Sequence, residues 1–253
     1  MSKVTAISNQ KGGVGKSTTS QSLAAGLSLK GRSVLLVDMD SQGNLSLSVG
    51  AEKGPGVISI FDVLTGEEKA DDAIQKIGDI DIIPASLSLA GADMQLTEMG
   101  KEYRLKEALA PLKDKYDHII IDTPPALGIL TVNALTAADN VIMPAQADLY
   151  SIEAIGQLYA TVQAVRKYTN DKLKISGILL TRYSDRTVLS RELSEMISNT
   201  ASSIGTKLFS SRIRETVTIR EAQAKKKDIF SYAPESKVAD DYMRFIDEFI
   251  KGE

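Results

Sequence analysis

The chain has 253 residues, a formal net charge of −3, a single histidine and no cysteine. Without cysteine there is no disulfide framework, thiolate metal site or iron–sulfur cluster, and a slightly acidic balance excludes a globally basic nucleic-acid coat while permitting a local patch. The N-terminus runs straight into an apolar segment with no signal-peptide pattern, and no apolar run approaches the roughly 18 residues of a membrane span, so a cytoplasmic protein with a single domain over residues 1–253 is expected.

Residues 4–7 read as a short buried strand. They lead into Gln10-Lys11-Gly12-Gly13-Val14-Gly15-Lys16-Ser17, and residues 18–30 read as a helix ended by Gly31. Strand, glycine loop and helix N-terminus in that order make an anion site, because free N–H groups and the helix dipole converge there. Gly12, Gly13 and Gly15 allow the backbone to turn tightly around phosphate oxygens. Lys16 is placed for the β/γ-phosphates and the Ser17 hydroxyl for Mg²⁺. Position 10, where a glycine is usual, is Gln, and Lys11 adds a second cation before the glycines. A lysine there does not fold back easily onto its own phosphates, so a nucleotide held by a second subunit is its natural target.

Further along, residues 33–37, 81–83, 118–121, 140–143 and 175–180 are apolar runs of the kind buried on both faces of a parallel sheet. Helical stretches lie between them, at 104–112, 129–137, 151–168 and 189–203, and an amphipathic helix closes the chain at 236–251. The alternation predicts an α/β fold: a mostly parallel, doubly wound sheet with helices on both faces and ligand at the carboxyl ends of the strands. Asp38 and Asp40 follow the second strand, where spacing of two could point both towards the γ-phosphate. Asp122 ends another apolar strand, the position of a Walker-B aspartate that holds Mg²⁺ through water.

Between residues 207 and 227 the chain carries Lys207, Arg212, Arg214, Arg220, Lys225, Lys226 and Lys227 against only Glu215 and Glu221. Such clustering suits sequence-independent phosphate contacts with double-stranded DNA. A helix-like run from Arg220 is expected to share a face with Lys227. His118, just before a buried strand, reads as a packed residue, and the cluster Tyr232, Tyr242, Phe245, Ile246, Phe249 and Ile250 as packing on the sheet.

Lys-Gly-Gly-Val-Gly-Lys-Ser-Thr at 11–18, Val-Asp-Met-Asp-Ser-Gln-Gly-Asn at 37–44, Ile-Ile-Ile-Asp-Thr-Pro-Pro at 119–125, and the segments 138–146 and 177–187 together resemble the ParA-type DNA-partition ATPases of the deviant Walker A P-loop group. The resemblance covers nearly the whole chain. It implies ATP and Mg²⁺ as cofactors and a homodimer closed around two ATP molecules, with Lys11 acting across the interface. It also implies Lys16 as the phosphate-loop lysine, Ser17 as a Mg²⁺ ligand, Thr18 as a further phosphate contact, Val14 within the loop and Asp40 positioning water. Asp38 is its switch neighbour and, with Asp122, is expected near the metal. Non-specific DNA, a ParB-type partner that stimulates hydrolysis and a nucleoid location follow from the same resemblance. Where the family often reads Ile-Pro-Arg-Asn, this chain has Ile213-Arg214-Glu215-Thr216, which bears on both the adenine and the DNA contacts. A MinD-like membrane ATPase needs a basic amphipathic C-terminal helix, and the helix here is net acidic. A dethiobiotin-synthetase-type ligase has no use for Lys11.

Overall fold

The computed structural model describes residues 2–184 and 187–252; Asp185 and Arg186, inside the last of the motifs above, lie outside the described residues. The elements run β1 (Lys3–Ile7), α1 (Lys16–Leu29), β2 (Val34–Asp38), α2 (Asn44–Val49), α3 (Ile60–Thr65), β3 (Gln75–Ile77), β4 (Ile80–Ile83), α4 (Ala92–Gln95), α5 (Arg104–Leu109) and β5 (His118–Asp122). There follow α6 (Ile129–Ala137), β6 (Asn140–Ala145), α7 (Leu149–Tyr168), β7 (Lys174–Tyr183), α8 (Val188–Ser203), β8 (Leu208–Arg214), α9 (Thr218–Ala224), α10 (Ile229–Tyr232) and α11 (Lys237–Lys251).

The eight strands form one sheet in the order β3-β4-β2-β5-β1-β6-β7-β8. Every pairing is parallel except that of β3 with β4. β2, β5 and β6 are buried throughout, which is why they read as unbroken apolar runs. β1 lies between β5 and β6, with the chain winding outward on both sides of it, so the crevice at its carboxyl end is where such a sheet binds ligand.

Each face of the sheet carries its own core. On one, α5, α6 and α7 cover Val4, Val37, Ile121 and Met143; on the other, α1 and α11 cover Ile7, Leu36, Ile142 and Leu179. The two helices approach so closely at Gly26 that a Cβ there would meet Ile246 Cδ1 at 2.2 Å. The aromatic cluster packs as expected, with Phe245 edge-on to Phe209 at 5.0 Å between ring centroids.

Two strands were not legible. β3 is a three-residue antiparallel edge. β8 is the opposite edge, and its Arg212 and Arg214 made a strand resemble a charged surface run. One side of β8 is packed by α11, while Ser210 and Ser211 N–H groups donate to the Glu248 carboxylate of that helix, each at 3.0 Å.

Candidate functional site

The loop after β1 is shaped by what holds its carbonyls. Gly13 and Gly15 have φ of 74° and 83°, left-handed values that L side chains rarely adopt. Lys16 Nζ donates to the Lys11 carbonyl at 3.3 Å. The Gly13 carbonyl accepts from Gln146 Nε2 at 3.2 Å and Arg182 Nη1 at 3.3 Å. Thr181 Oγ1 donates to the Val14 carbonyl at 2.7 Å. With these oxygens tied to the ends of β6 and β7, the loop is left as a cradle of N–H groups. It lines a cavity of about 460 Å³, to which Gly12, Gly13, Gly15, Lys16, Ser17, Thr18 and Asp40 all contribute. Arg182 holds its contact from a left-handed backbone, φ 49°, a conformation that costs a non-glycine residue about 1–3 kcal/mol.

The acidic residues separate into two roles. Asp38 and Asp122 are register partners on β2 and β5 and both are completely buried. Burial, then the Asp38 charge, pushes the Asp122 carboxyl up to about 8. Its Oδ1 accepts from Ser20 Oγ at 3.1 Å, while its Oδ2 is enclosed without a partner. Burial also raises Asp38, to about 6, against the pull of the hydrogen bonds it accepts. Its Oδ2 takes Ser46 N–H at 2.8 Å and Ser46 O–H at 2.7 Å, and its Oδ1 takes Asp40 N–H at 3.2 Å. Asp38 thus faces inward, anchoring α2, and does not line the cavity. Only Asp40 of the pair does, its Oδ1 held by Gln42 N–H at 3.0 Å. The expectation that both point the same way fails because Ser46 captures the first.

Lys16 is 7% exposed; burial lowers its pKa against the opposing charges of Asp122 and Asp40. The partnerless Asp122 carboxylate oxygen and the Ser17 hydroxyl at the helix start are oxygens that could face Mg²⁺, while the buried Lys16 ammonium, which has no lone pair for a metal, suits a phosphate oxygen. Among the described residues no cluster of three or more His, Cys, Asp or Glu is arranged to hold a metal by itself. Val14 is fully buried beneath the loop. His118 opens β5, at the far end of the strand from Asp122, buried with its pKa lowered chiefly by that burial.

Lys11 takes a different direction and is not among the residues lining the cavity. Its N–H donates to Asn9 Oδ1 at 2.9 Å, and Asn9 Nδ2 donates to the Pro144 carbonyl at 2.7 Å. Its ammonium donates to Gln146 Oε1 at 3.2 Å and forms an ion pair with Asp148. Asp148 also caps α7, accepting Ser151 N–H at 2.8 Å. Burial alone would raise its pKa, and Lys11 with the Ser151 N–H reverses this and holds it below the usual range.

The basic stretch does not form one patch. Arg214 is held by Asp241, with Nη2 donating to Oδ1 at 2.8 Å, and Asp241 also receives Arg244. Arg212 lies over the Tyr183 ring at 4.5 Å. Arg214 and Arg220 line the nucleotide cavity, with Ile213, Glu215, Thr216, Ile219, Gln223 and Tyr242. α9 stops at Ala224: Lys227 N–H donates to the Ala222 carbonyl and Lys226 N–H to that of Gln223, both at 3.0 Å, while Lys226 turns left-handed at φ 53°. This closing turn takes Lys227 off the helix, so the expected shared face with Arg220 does not exist. Lys225, Lys226 and Lys227 remain exposed. Gln146, Thr181 and Arg182 fell in motif segments without a site role, and Asp148 and Gln223 were not picked out from sequence. Four of these five sit at or just beyond the carboxyl ends of β6 and β7, the ligand end of a parallel sheet, and that placement was the available signal.

A family profile described as an AAA domain matches residues 2–175. The sporulation initiation inhibitor protein Soj of Bacillus subtilis is 42% identical over 96% of this chain and 96% of its own length. The chromosome partitioning protein ParA of Caulobacter vibrioides is 36% identical over 99% and 95%. This chain belongs to the Soj/ParA family of P-loop ATPases. Among solved structures, one described as cobyrinic acid a,c-diamide synthase of Mycobacterium smegmatis, with bound ADP and magnesium, is 37% identical, with a TM-score of 0.86 over 99% of this chain and 95% of that one. The protein is therefore a P-loop ATPase.

Proposed function

We propose that the protein is an ATP-driven partition ATPase. Two chains close around two ATP molecules, the closed dimer holds duplex DNA without regard to sequence, and hydrolysis stimulated by a ParB-type partner releases it. The observation that carries this reading is Lys11, a cation at the loop whose ammonium points outside its own cavity, held by Gln146 and Asp148 in a contact that opens for a nucleotide in a second copy.

The chemistry is attack of water on the γ-phosphorus with loss of ADP, and little of it is covalent work for the protein. Loop N–H groups and Lys16 take the β/γ-phosphate charge, and Thr18 contacts a further phosphate oxygen. The Ser17 hydroxyl, with Asp122 behind it, would hold Mg²⁺, which would supply neutralisation of phosphate charge. Asp40 orients the attacking water. Lys11 of the second copy neutralises charge developing on the transferred group, as an arginine finger does elsewhere. Loss of the γ-phosphate removes what draws the two lysine loops together, which ties dimer lifetime to turnover.

Lys225, Lys226 and Lys227, exposed and with no ion pair to an acid among the described residues, are the residues best placed for DNA phosphates; Lys226 and Lys227 lie beside β3 and β4, at the opposite edge of the sheet from Arg212 on β8. Among the described residues no helix is long and apolar enough to cross a membrane, and α11 buries its apolar face on α1 and β8, which disfavours a MinD-like membrane role. A nucleoid-associated cytoplasmic location fits. An amide-forming ligase leaves Lys11 without a task. Filter binding of arbitrary duplexes tests the reading: affinity should rise with ATP, ignore sequence and fall steeply with salt. Equal affinity with and without ATP overturns it.

A further inference from the structure

Gln223 Nε2 donates to Thr18 Oγ1 at 3.0 Å, joining residues 205 apart in the chain. Both line the nucleotide cavity. Thr18 stands in the first turn of α1, and Gln223 in the last turn of α9. A hydroxyl has one proton; with its oxygen accepting from Gln223, that proton is directed to another acceptor, and phosphate oxygens are the strongest ones the cavity can take. A charged acceptor there polarises the hydroxyl and strengthens the bond from Gln223.

α9 depends on such a bond. It has seven residues, its N-cap residue Val217 offers no side-chain hydrogen bond, of the first-turn N–H groups Thr216 Oγ1 takes only that of Thr218, at 3.2 Å, and Ala222 is its one fully buried residue. Its end is closed by Lys226 in a left-handed conformation that costs a non-glycine residue energy. A helix this short is not stable alone, so a single tertiary hydrogen bond is a large part of what places it. The three exposed lysines follow immediately.

We propose that Gln223 is a positioning residue that reports phosphate at Thr18 to the lysine triplet: segment 218–227 is loosely held without nucleotide and fixed when a phosphate takes the Thr18 hydroxyl proton. The consequence for DNA rests on the reading above that these lysines meet DNA phosphates. The coupling itself does not.

The test uses the full-length protein with Mg²⁺ and β,γ-imido-ATP. Amide hydrogen exchange over 218–227 should slow on nucleotide binding in the wild type. Gln223→Leu should bind the nucleotide within about threefold of wild type, yet keep 218–227 exchanging as it does without nucleotide. Thr18→Val should abolish the protection as well, and Thr18→Ser, which keeps the hydroxyl, should retain it. The nucleotide-induced gain in DNA affinity should fall about three- to tenfold in Gln223→Leu, the worth of one net hydrogen bond. Equal protection in wild type and Gln223→Leu, or none in the wild type, overturns the coupling. Protection lost in the variant, with DNA affinity insensitive to nucleotide in both proteins, leaves the coupling standing and defeats the DNA reading.

Discussion

The ammonium of Lys11 and the carboxylate of Asp148 form an ion pair within one chain, from the start of the phosphate loop to the cap of α7. If Lys11 serves a second copy, this contact must open first. The pair is about a quarter to a third exposed, and such pairs contribute roughly 1 kcal/mol or less. Asp148→Asn keeps a capping oxygen for Ser151 and removes the charge, so it should favour the ATP-bound dimer by about two- to fivefold, read by sedimentation at several protein concentrations. An unchanged dimer constant means that the contact does not restrain Lys11.

The two lysines should separate cleanly. Lys16→Ala removes the buried partner of the β/γ-phosphates, and equilibrium dialysis should show ATP binding abolished. Lys11→Ala should bind ATP nearly as wild type and lose stimulated turnover by about 10³-fold, the lower end of what an arginine finger supplies. Wild-type turnover in Lys11→Ala removes the cross-subunit role.

Asp40→Ala keeps the phosphate cradle and loses the water-facing carboxylate. It should bind ATP and accumulate as a dimer by light scattering while hydrolysing slowly. A monomer in ATP, or normal turnover, contradicts that role.

The buried carboxylates give a pH dependence with a defined sign. Asp122, raised to about 8, keeps a proton in the folded protein that the unfolded chain releases near its ordinary value, so its effect on stability worsens as pH rises between the two. Without nucleotide, Asp122→Asn should melt higher than wild type at pH 9, with the gap closing below about pH 5; each kcal/mol corresponds to about 2–4 °C in a chain of this size. Mg²⁺-nucleotide should reverse the order, because the ion needs the carboxylate. A gap that widens on acidification refutes the assignment.

The cations of the basic stretch should no longer behave alike. Lys225→Ala, Lys226→Ala and Lys227→Ala should each weaken DNA binding for all sequences and flatten the log–log salt slope by about 0.9. Arg214→Ala should leave that slope alone and lower the melting temperature, since it strips Asp241, 3% exposed, of one of its two guanidinium partners and leaves only Arg244. A slope change in Arg214→Ala of the same size as in the lysine variants would mean that the ion pair opens on DNA.

The sheet centre was readable because β2, β5 and β6 are buried on both faces and leave apolar runs that only a covered parallel strand tolerates. The phosphate loop was readable because its glycines answer a backbone demand that no other residue meets. Asp38 was misjudged: periodicity gives the side of a strand, but Ser46, eight residues on, decides where the carboxylate turns. β8 was hidden by its charges, and the partners of Arg214 and Lys11 lie 27 and 137 residues away. Side-chain commitments at that separation leave no local pattern.

Glu248 closes two N–H groups on the outer strand β8. Outer strands with free donors recruit other strands, a hazard that grows wherever copies of a chain come close together. By answering those donors from its own last helix, the chain can crowd without fusing edge to edge. Although burial alone would raise the Glu248 carboxyl, the Ser210 and Ser211 hydrogen bonds hold it below the usual range, so the contacts that guard the edge also favour the charged form that makes them.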